Sequence, residues 1–233
     1  MYGPAGKYYD RLYSAKDYHQ ESLAIIETIK SYCPAAHSLL DVGCGTGGHL
    51  QHLSNQYDAE GMDLSKDLVK IARQRLPDIR IHQASMISFK LDRAYDVVLC
   101  LFSSIGYVET TSNLNRAVKC MANHLTPGGI LLIEPWFAEQ SWQPKSVYAT
   151  FVDDPDTKIA RISTNKKQGK QSIIEMHYLV GTAAGVKYYK ELHRMGLFAQ
   201  KEMIDAYGKA GLHCEYKEEG ITGRGLYIGT SSS

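Results

Sequence analysis

The sequence predicts an α/β protein in which a doubly wound parallel sheet carries a small inserted antiparallel sheet. Strand-like and helix-like patterns alternate five times between residues 38 and 134, and such alternation is typical of a doubly wound sheet. Residues 96–101 form an almost continuous apolar run, as expected for a central parallel strand with both faces buried. Residues 136–197 break this rhythm with period-two alternation, which indicates the antiparallel insertion.

Local sequence features predict the helices and strands of the α/β part. The first helix carries Leu23, Ile26 and Ile29 on one face at helical spacing. Ser65 is a favourable N-cap for a later helix, and Pro77 follows its last turn. The helices are expected at 17–32, from about 49, 66–76, 111–124 and 199–210, and the strands at 38–42, 59–63, 79–83, 96–101, 130–134, 212–218 and 226–229.

The inserted sheet is predicted from four alternating runs separated by turn residues. The runs are 148–153, 157–165, 171–180 and 186–195. Residues 1–135 and 198–233 are therefore expected to form one domain, and 136–197 a sheet inserted into it. Residues 230–233 are interpreted as a frayed tail.

Composition excludes several classes of protein. The chain has 233 residues, 44% of them hydrophobic and 22% charged, with a net charge of +1. A near-neutral balance argues against a nucleic-acid partner, and the longest apolar run, Val97–Phe102, is too short to span a bilayer. Five scattered cysteines without a Cys-x-x-Cys pair, and an amino terminus without a signal-peptide pattern, predict reduced thiols and a cytoplasmic location.

A glycine loop, residues 43–48, follows the first predicted strand. Gly43, Gly45 and Gly47 let the backbone turn sharply against a ligand, and Asp41 precedes them where it can accept from a ligand ammonium. Asp63 lies 20 residues after Gly43, at the end of the second strand, where a carboxylate can hold both hydroxyls of a ribose. Because the loop also fits G-x-G-x-x-G, it does not by itself distinguish a nicotinamide dinucleotide from S-adenosylmethionine.

Three features favour S-adenosylmethionine. About 40 residues, including a helix, precede the first strand, whereas dinucleotide-binding folds usually begin with that strand. Asp41 would repel a pyrophosphate. The turn Leu125–Gly129 reads Leu-Thr-Pro-Gly-Gly, and with the Asp-x-Gly-x-Gly-x-Gly loop it resembles the class I S-adenosylmethionine-dependent methyltransferases, whose fold is Rossmann-like.

That resemblance implies S-adenosyl-L-methionine as the cofactor. The residues after the third strand flank the adenine in that family; here they are Ser85 and Met86, with Ser85 where an Asp is frequent. Tyr18 is expected at the methionine end. The full set of expected cofactor-binding residues is Tyr18, Asp41, Gly43, Gly45, Gly47, Asp63, Leu64, Ser85, Met86 and Phe102.

A closer resemblance covers residues 8 to 229. Its most specific strings are Phe-Ser-Ser-Ile-Gly-Tyr at 102–107 and Gly-Arg-Gly-Leu at 223–226. Together with Tyr9–Tyr13 and Glu134–Trp136 they are similar to the N,N-dimethyltransferases that act on dTDP-3-amino-deoxyhexoses in desosamine and mycaminose biosynthesis. The resemblance implies a nucleotide-linked amino sugar as acceptor. Another small amine or hydroxyl acceptor is the alternative.

Residue roles follow from this chemistry. An ammonium must lose a proton before its nitrogen can attack a methyl group, and His124 is a candidate to accept that proton. The resemblance puts His124 and Tyr13 beside the acceptor amine, with orientation expected to contribute more than base catalysis. The expected substrate-binding residues are Tyr13, Trp142, Arg161 and Arg224, with Arg224 for a phosphate.

The inserted sheet is expected to cover the acceptor, and its edges predict pairing with a second copy as a homodimer. His177 and His193 have no acidic or Cys companion at metal spacing, so they are interpreted as sheet residues and no metal site is expected.

Overall fold

The computed structural model describes residues 4–231 of the chain. The α-helices are α1 (Tyr9–Leu12), α2 (Tyr18–Tyr32), α3 (Leu50–Leu53), α4 (Lys66–Arg75), α5 (Thr111–Ala122) and α6 (Gln200–Lys209), and two 3₁₀ helices span Pro4–Tyr8 and Ser104–Val108. The strands are β1 (Ser38–Val42), β2 (Asp58–Asp63), β3 (Ile81–Gln83), β4 (Tyr95–Cys100), β5 (Leu125–Ile133), β6 (Val147–Asp153), β7 (Lys158–Gln168), β8 (Gln171–Thr182), β9 (Gly185–Gly196), β10 (Leu212–Lys217) and β11 (Leu226–Ser231).

The large sheet has seven strands in the order β10-β11-β5-β4-β1-β2-β3. Strand β1 pairs in parallel with β2 on one side and β4 on the other. Only β11 runs in the opposite direction, so its pairings with β5 and with the end strand β10 are both antiparallel. The strand order reverses at β1, and in such sheets the carboxyl ends beside the reversal form the binding crevice. The predicted doubly wound fold is therefore confirmed.

Both faces of this sheet are covered. Leu39 and Leu40 are neighbours on β1 and fully buried, yet they belong to two separate core clusters because successive strand side chains point to opposite faces. Leu39 packs with Ile29 of α2, and Leu40 belongs to the cluster that includes Met121 of α5. Each such side chain contributes roughly 1.5–3 kcal/mol by burial, so helices on both sides hold the sheet rigid.

Several boundaries differ from the sequence prediction. In α2 the buried residues include Ile25, Ile26 and Ile29, whereas Leu23 is exposed. Strand β11 extends to Ser231, which pairs with Leu212. Part of the predicted frayed tail is therefore strand, and residues 232–233 lie outside the described part of the chain.

The second sheet is an antiparallel meander of β6, β7, β8 and β9. It lies between β5 and α6 in the chain. One face packs against the amino-terminal segment, residues 4–13, through a cluster that includes Leu12, Ile159, Tyr178 and Val180. The local sequence pattern does not predict the helical structure of this segment.

Ion pairs join the amino-terminal segment to the second sheet and to helix α4 of the seven-stranded domain. Arg11 lies 2.7 Å from Asp154 and 2.8 Å from Asp156, in the turn between β6 and β7. On the other side, Asp10 pairs with Arg75 at the end of α4. The segment therefore crosses from the second sheet to the seven-stranded domain.

Within residues 4–231, no helix combines the length and apolar composition needed to cross a bilayer. Over the same residues, no three His, Cys, Asp or Glu side chains come together as metal ligands would. The free cysteines are Cys33, Cys44, Cys100, Cys120 and Cys214.

Candidate active site

A cavity of about 420 Å³ lies between the carboxyl edge of the seven-stranded sheet and the second sheet. Its volume is in the usual range for a small-molecule site. From the seven-stranded domain and the amino-terminal segment, its lining includes Tyr9, Tyr13, Gly43, Gly45, Asp63, Leu64, Ser85, Met86, Phe102, Ser104, Tyr107, Trp136 and Arg224. From the second sheet it includes Ile174, Met176, Leu192, His193, Arg194 and Met195.

The glycine loop forms one wall. Gly43, Gly45 and Gly47 have φ angles of 79°, 59° and 82°, a region that side chains rarely adopt. A Cβ placed on Gly45 would meet no atom within 4 Å, whereas one on Gly43 would lie 2.8 Å from the Ser104 Cβ. The loop therefore leaves open space in front of Gly45, where a ligand can contact the backbone directly.

Asp63 ends β2 beside this loop. Its carboxylate accepts hydrogen bonds from the Gly45 N–H at 3.0 Å and the Ser65 N–H at 2.8 Å. Burial raises the pKa of Asp63, although the backbone N–H groups of Ser65, Gly45 and Leu64 act in the opposite direction. An ionised carboxylate has about four lone-pair positions. With three of them facing backbone N–H groups, acceptor capacity still remains for a hydroxyl group of a ligand in the cavity.

Asp41 lies on β1 behind the cavity wall. It is 2% exposed, and among the described residues it makes no side-chain hydrogen bond. Burial raises its pKa to about 6, against a lowering effect of His49. A buried carboxylate without a partner is unfavourable. A ligand ammonium would supply the missing positive charge, so the site fits a cationic amino group.

The turn after β4 has backbone strain. Phe102, Ser103 and Glu109 have φ angles of 47°, 63° and 64°, although none is glycine. The Phe102 N–H donates to Glu134 Oε2 at 2.7 Å, and the Ser103 hydroxyl donates to the Pro135 carbonyl at 2.7 Å. Strain held by such bonds is concentrated at functional sites. Here it holds the Phe102 ring in the cavity wall.

Arg224 and Tyr13 lie against Phe102 from two directions. The Arg224 guanidinium is 5.1 Å from the ring centroid and donates to Ser103 Oγ at 3.2 Å. The Tyr13 ring meets the Phe102 ring edge-on, with centroids 5.6 Å apart. Arg224 thus presents a fixed cation inside the cavity, as recognition of an anionic group requires.

The structure brings together nine of the predicted site residues as cavity lining: Tyr13, Gly43, Gly45, Asp63, Leu64, Ser85, Met86, Phe102 and Arg224. Three others lie directly behind this lining. Asp41 is buried there, Gly47 packs against Leu76, and Tyr18 packs against Gly48.

His124 is not at this cavity, which corrects the prediction that it takes the amine proton. It precedes β5 and therefore lies at the amino edge of the sheet, opposite the carboxyl ends. Its Nδ1 bonds to the Cys120 carbonyl at 2.7 Å, and its Nε2 accepts from the Leu91 N–H at 3.0 Å. The ring is stacked on Phe89. Both nitrogens are occupied, so the residue is structural.

Trp142 and Arg161 also lie outside the lining, which corrects their predicted contact with the substrate. Trp142 packs against Trp136 and Phe137, with ring centroids 5.6 and 5.7 Å away. Arg161 donates to the Tyr13 hydroxyl at 3.4 Å, and its guanidinium lies over that ring. Arg161 therefore supports Tyr13 from behind.

Several cavity residues were not predicted as site residues, among them Tyr107 and His193. Tyr107 ends the Phe-Ser-Ser-Ile-Gly-Tyr string, and its hydroxyl lies 2.7 Å from Nδ1 of His193 on β9. Tyr107 follows a parallel strand, and that position could have identified it as a residue at the ligand-binding edge of the sheet. His193 was interpreted as an ordinary sheet residue, because the contact between the two sheets cannot be read from the local pattern.

Comparisons with known proteins agree with this geometry. Residues 39–129 match the model of a methyltransferase domain family. The dTDP-3-amino-3,4,6-trideoxy-alpha-D-glucopyranose N,N-dimethyltransferase of Streptomyces venezuelae is 40% identical over 95% of each chain. The crystal structure of Streptomyces venezuelae DesVI covers all of both chains with 38% identity and a TM-score of 0.93.

A second solved structure is informative about the ligand. It is that of S-adenosylmethionine-bound CalS10, an amino pentose methyltransferase from Micromonospora echinaspora involved in calicheamicin biosynthesis. It is 33% identical, covers 100% of this chain and 98% of its own, and has a TM-score of 0.87. The chain is a methyltransferase and belongs to the family of the dTDP-amino-deoxysugar N,N-dimethyltransferases.

Proposed function

We propose that the chain transfers methyl groups from S-adenosyl-L-methionine to the amino group of a dTDP-linked 3-amino-deoxysugar, and does so twice. The observation that carries this proposal is that one cavity joins two kinds of site. One end has the Asp63 carboxylate and an open glycine loop, with Asp41 buried behind them, and the other has Arg224 beside aromatic rings.

The residues around the glycine loop suit the cofactor. The partnerless carboxylate of Asp41 fits the methionine ammonium, and Asp63 fits the ribose hydroxyls. Ser85 and Met86 line the same cavity and would flank the adenine, and Phe102 would lie near the sulfonium. The bound cofactor supplies an electrophilic methyl group, so the protein has mainly to hold an uncharged amine in line with it at about 3 Å.

The other end of the cavity suits a nucleotide-linked sugar. Arg224 would hold a phosphate through its fork of N–H groups, and its contact with Ser103 limits its rotation. Tyr13, held by Phe102 and Arg161, would fix the sugar beside the methyl group. The second sheet covers this acceptor end, a role supported by Ile174, Met176 and His193 in the lining.

The protein acts as a homodimer in this proposal. Strand β6 is an edge of the second sheet, and its Val147, Tyr148 and Phe151 are 60–72% exposed. A free edge with apolar side chains pairs readily with its own copy around a two-fold axis. Phe151→Glu is expected to shift the mass in light scattering from dimer to monomer. A wild-type monomer at working concentration would refute this part.

The five free cysteines support activity in a reducing compartment, such as the cytoplasm.

The test is a transfer assay with purified chain and S-adenosylmethionine. With dTDP-3-amino-3,4,6-trideoxyhexose we expect products that gain one and then two methyl groups by mass spectrometry. The matched acceptors are the 4-amino isomer, the same amino sugar without dTDP, and dTDP-glucose, which offers only hydroxyl groups. Faster turnover of the free amine, or of dTDP-glucose, would overturn the proposal in favour of another small acceptor.

A further inference from the structure

The second sheet brings a buried histidine to the cavity beside Tyr107. His193 lies on β9, is 1% exposed as a residue, and lines the cavity. Its Nδ1 is 2.7 Å from the Tyr107 hydroxyl oxygen. Tyr107 comes from the 3₁₀ helix Ser104–Val108, which follows β4 of the large sheet. This hydrogen bond therefore joins the two sheets at the ligand.

Glu191 determines which nitrogen of His193 carries the proton. Its carboxylate lies 3.3 Å from His193 Nε2 and accepts from the Tyr178 hydroxyl at 3.1 Å and from the Ala5 N–H at 3.3 Å. An ionised carboxylate only accepts, so Nε2 carries the hydrogen. Nδ1 then has a lone pair, and the Tyr107 hydroxyl donates to it.

The surroundings keep the imidazole neutral at rest. Burial lowers the pKa of His193, although the hydrogen bond to Glu191 acts in the opposite direction and the charge of Arg161 lowers it further. The ionisable groups that face it within the described chain are Tyr107, Glu191, Tyr178 and Arg161. Burial also raises the pKa of Tyr107, so its phenol stays protonated.

We propose that Tyr107, His193 and Glu191 form a relay that takes the proton from the acceptor amine. The inference rests on the proposed function, because it assigns residues to the amine of that substrate. Tyr107 is the catalytic residue that touches the amine, and His193 and Glu191 are positioning residues that act through it.

The proton balance is as follows. An N–H bond of the ammonium breaks, and its proton goes to the Tyr107 oxygen while the Tyr107 proton goes to Nδ1. The electron pair left on nitrogen forms the new bond to the methyl carbon. The carbon–sulfur bond breaks at the same time, and its own electron pair stays on sulfur. Glu191 stabilises the resulting imidazolium, as a carboxylate does for a catalytic histidine. The imidazolium releases its proton to water before the second methylation, which repeats the step with the methylated ammonium.

The same sheet provides a matched control on its other face. The Tyr188 hydroxyl lies 2.6 Å from His177 Nδ1, and His177 Nε2 lies 2.9 Å from Glu175. Strand alternation and the pairing of β8 with β9 direct these three side chains away from the face of His193. None of the three lines the cavity.

The first experiment is the pH dependence of kcat. Tyr107→Phe and His193→Gln are each expected to lose about 10²-fold at pH 7. The loss in kcat should shrink to less than about 3-fold near pH 9.5, where water and buffer remove the proton. The double variant Tyr107→Phe/His193→Gln should be no slower than the slower of the two single variants. Tyr188→Phe and His177→Gln should match wild type. A loss that is equal at every pH, or no loss, would overturn the relay.

The second experiment does not depend on turnover. In ¹⁵N spectra of the wild-type imidazoles, assigned with His193→Gln, we expect His193 to carry its hydrogen on Nε2 and to accept at Nδ1. A hydrogen on Nδ1 would overturn the relay whatever the acceptor is. Failure of wild type to methylate any dTDP-amino sugar would instead refute the proposed function, and the tautomer would still decide on the relay.

Discussion

Carboxylates at the two edges of the seven-stranded sheet differ in how they are satisfied, as Asp96 at one edge and Asp41 at the other show. At the amino edge, Asp96 accepts from the N–H groups of His37 and Ser38 at 2.9 and 3.0 Å, and from the Thr126 hydroxyl at 2.8 Å. His124 has both ring nitrogens bonded. At the carboxyl edge, Asp41 is buried without a hydrogen bond among the described residues.

The difference shows which edge was shaped for stability and which for a ligand. Groups that are already satisfied gain little from a ligand, whereas unsatisfied and strained groups are stabilised when one binds. Within the seven-stranded domain, the non-glycine residues with positive φ follow the same division: Phe102, Ser103 and Glu109 all come after β4, at its carboxyl end, and the remaining one, Lys145, belongs to the insertion. The four predictions below test this division.

The largest expected effect is on pH-dependent stability. The pKa of Asp41 is about 6 in the folded chain, against an ordinary 3.8. The unfolded chain therefore ionises first as pH rises, and Asp41 removes up to about 3 kcal/mol of stability between pH 4 and 6. Asp41→Asn should therefore be more stable than wild type, and the difference in unfolding free energy should grow as pH rises through this window. Denaturant unfolding of the unliganded protein, repeated from pH 3 to 7, measures it.

Asp96→Asn is the control and should behave in the opposite way. Burial alone would raise the pKa of Asp96, but hydrogen bonds from His37, Thr126 and Ser38 lower it overall. The stability that the ionised Asp96 carboxylate contributes is present above pH 4. It is lost as pH falls through the pKa of Asp96 in the folded chain. Equal pH profiles for the two variants would contradict the division between the edges.

The next effect is on cofactor affinity. Asp63→Ala removes the charged acceptor of hydrogen bonds from the ribose hydroxyls and should cost about 2–3 kcal/mol of S-adenosylmethionine binding. Calorimetry measures the Kd, with Asp96→Asn expected to match wild type. An unchanged Kd in Asp63→Ala would show that the cofactor does not bind at this edge.

A somewhat smaller effect is expected on the acceptor. Arg224→Ala should raise the KM of the dTDP-sugar by about 10- to 30-fold, equivalent to about 1.5–2 kcal/mol, because a charge-assisted bond to phosphate is lost. Arg224→Lys should be intermediate, since an ammonium lacks the bidentate fork. Arg80, which precedes β3 at the amino edge, is the control. Steady-state kinetics with equal KM values for Arg224→Ala and Arg80→Ala would argue against a phosphate at Arg224.

The smallest effect is expected at His124. His124→Ala leaves the Leu91 N–H without its acceptor and should cost about 1–2 kcal/mol of unfolding free energy. The kcat of the folded fraction should stay unchanged, because the residue lies at the edge opposite the cavity. Chemical denaturation and initial rates check the two parts. A large loss of kcat with normal stability would restore His124 as a catalytic candidate.

Most of the fold could be predicted because local patterns determine it. The apolar run of β4 and the Ser65 cap appear in the structure as expected. The glycine loop and Asp63 could also be placed, since residues that follow parallel strands meet at one edge. The amino-terminal segment was missed as structure because it is held by contacts distant in sequence, such as Arg11 with Asp154.

The histidines show where prediction from the sequence failed. His124 precedes a parallel strand, and that position alone puts it at the edge opposite the glycine loop, so this error was avoidable. His193 is different. Its role depends on how the second sheet packs against Tyr107, 86 residues earlier in the chain, and no local periodicity encodes such a contact.

The amino-terminal segment has a consequence for the order of events in turnover. Tyr9 and Tyr13 line the cavity, and Arg11 fastens the segment to the second sheet through Asp154 and Asp156. Two methylations consume two cofactor molecules, so the spent one must leave and a fresh one enter before the second transfer. The Arg11 pairs are exposed to solvent and are therefore weak and screened by salt. Ionic strength would then set how often a singly methylated sugar escapes, and so whether the enzyme works processively.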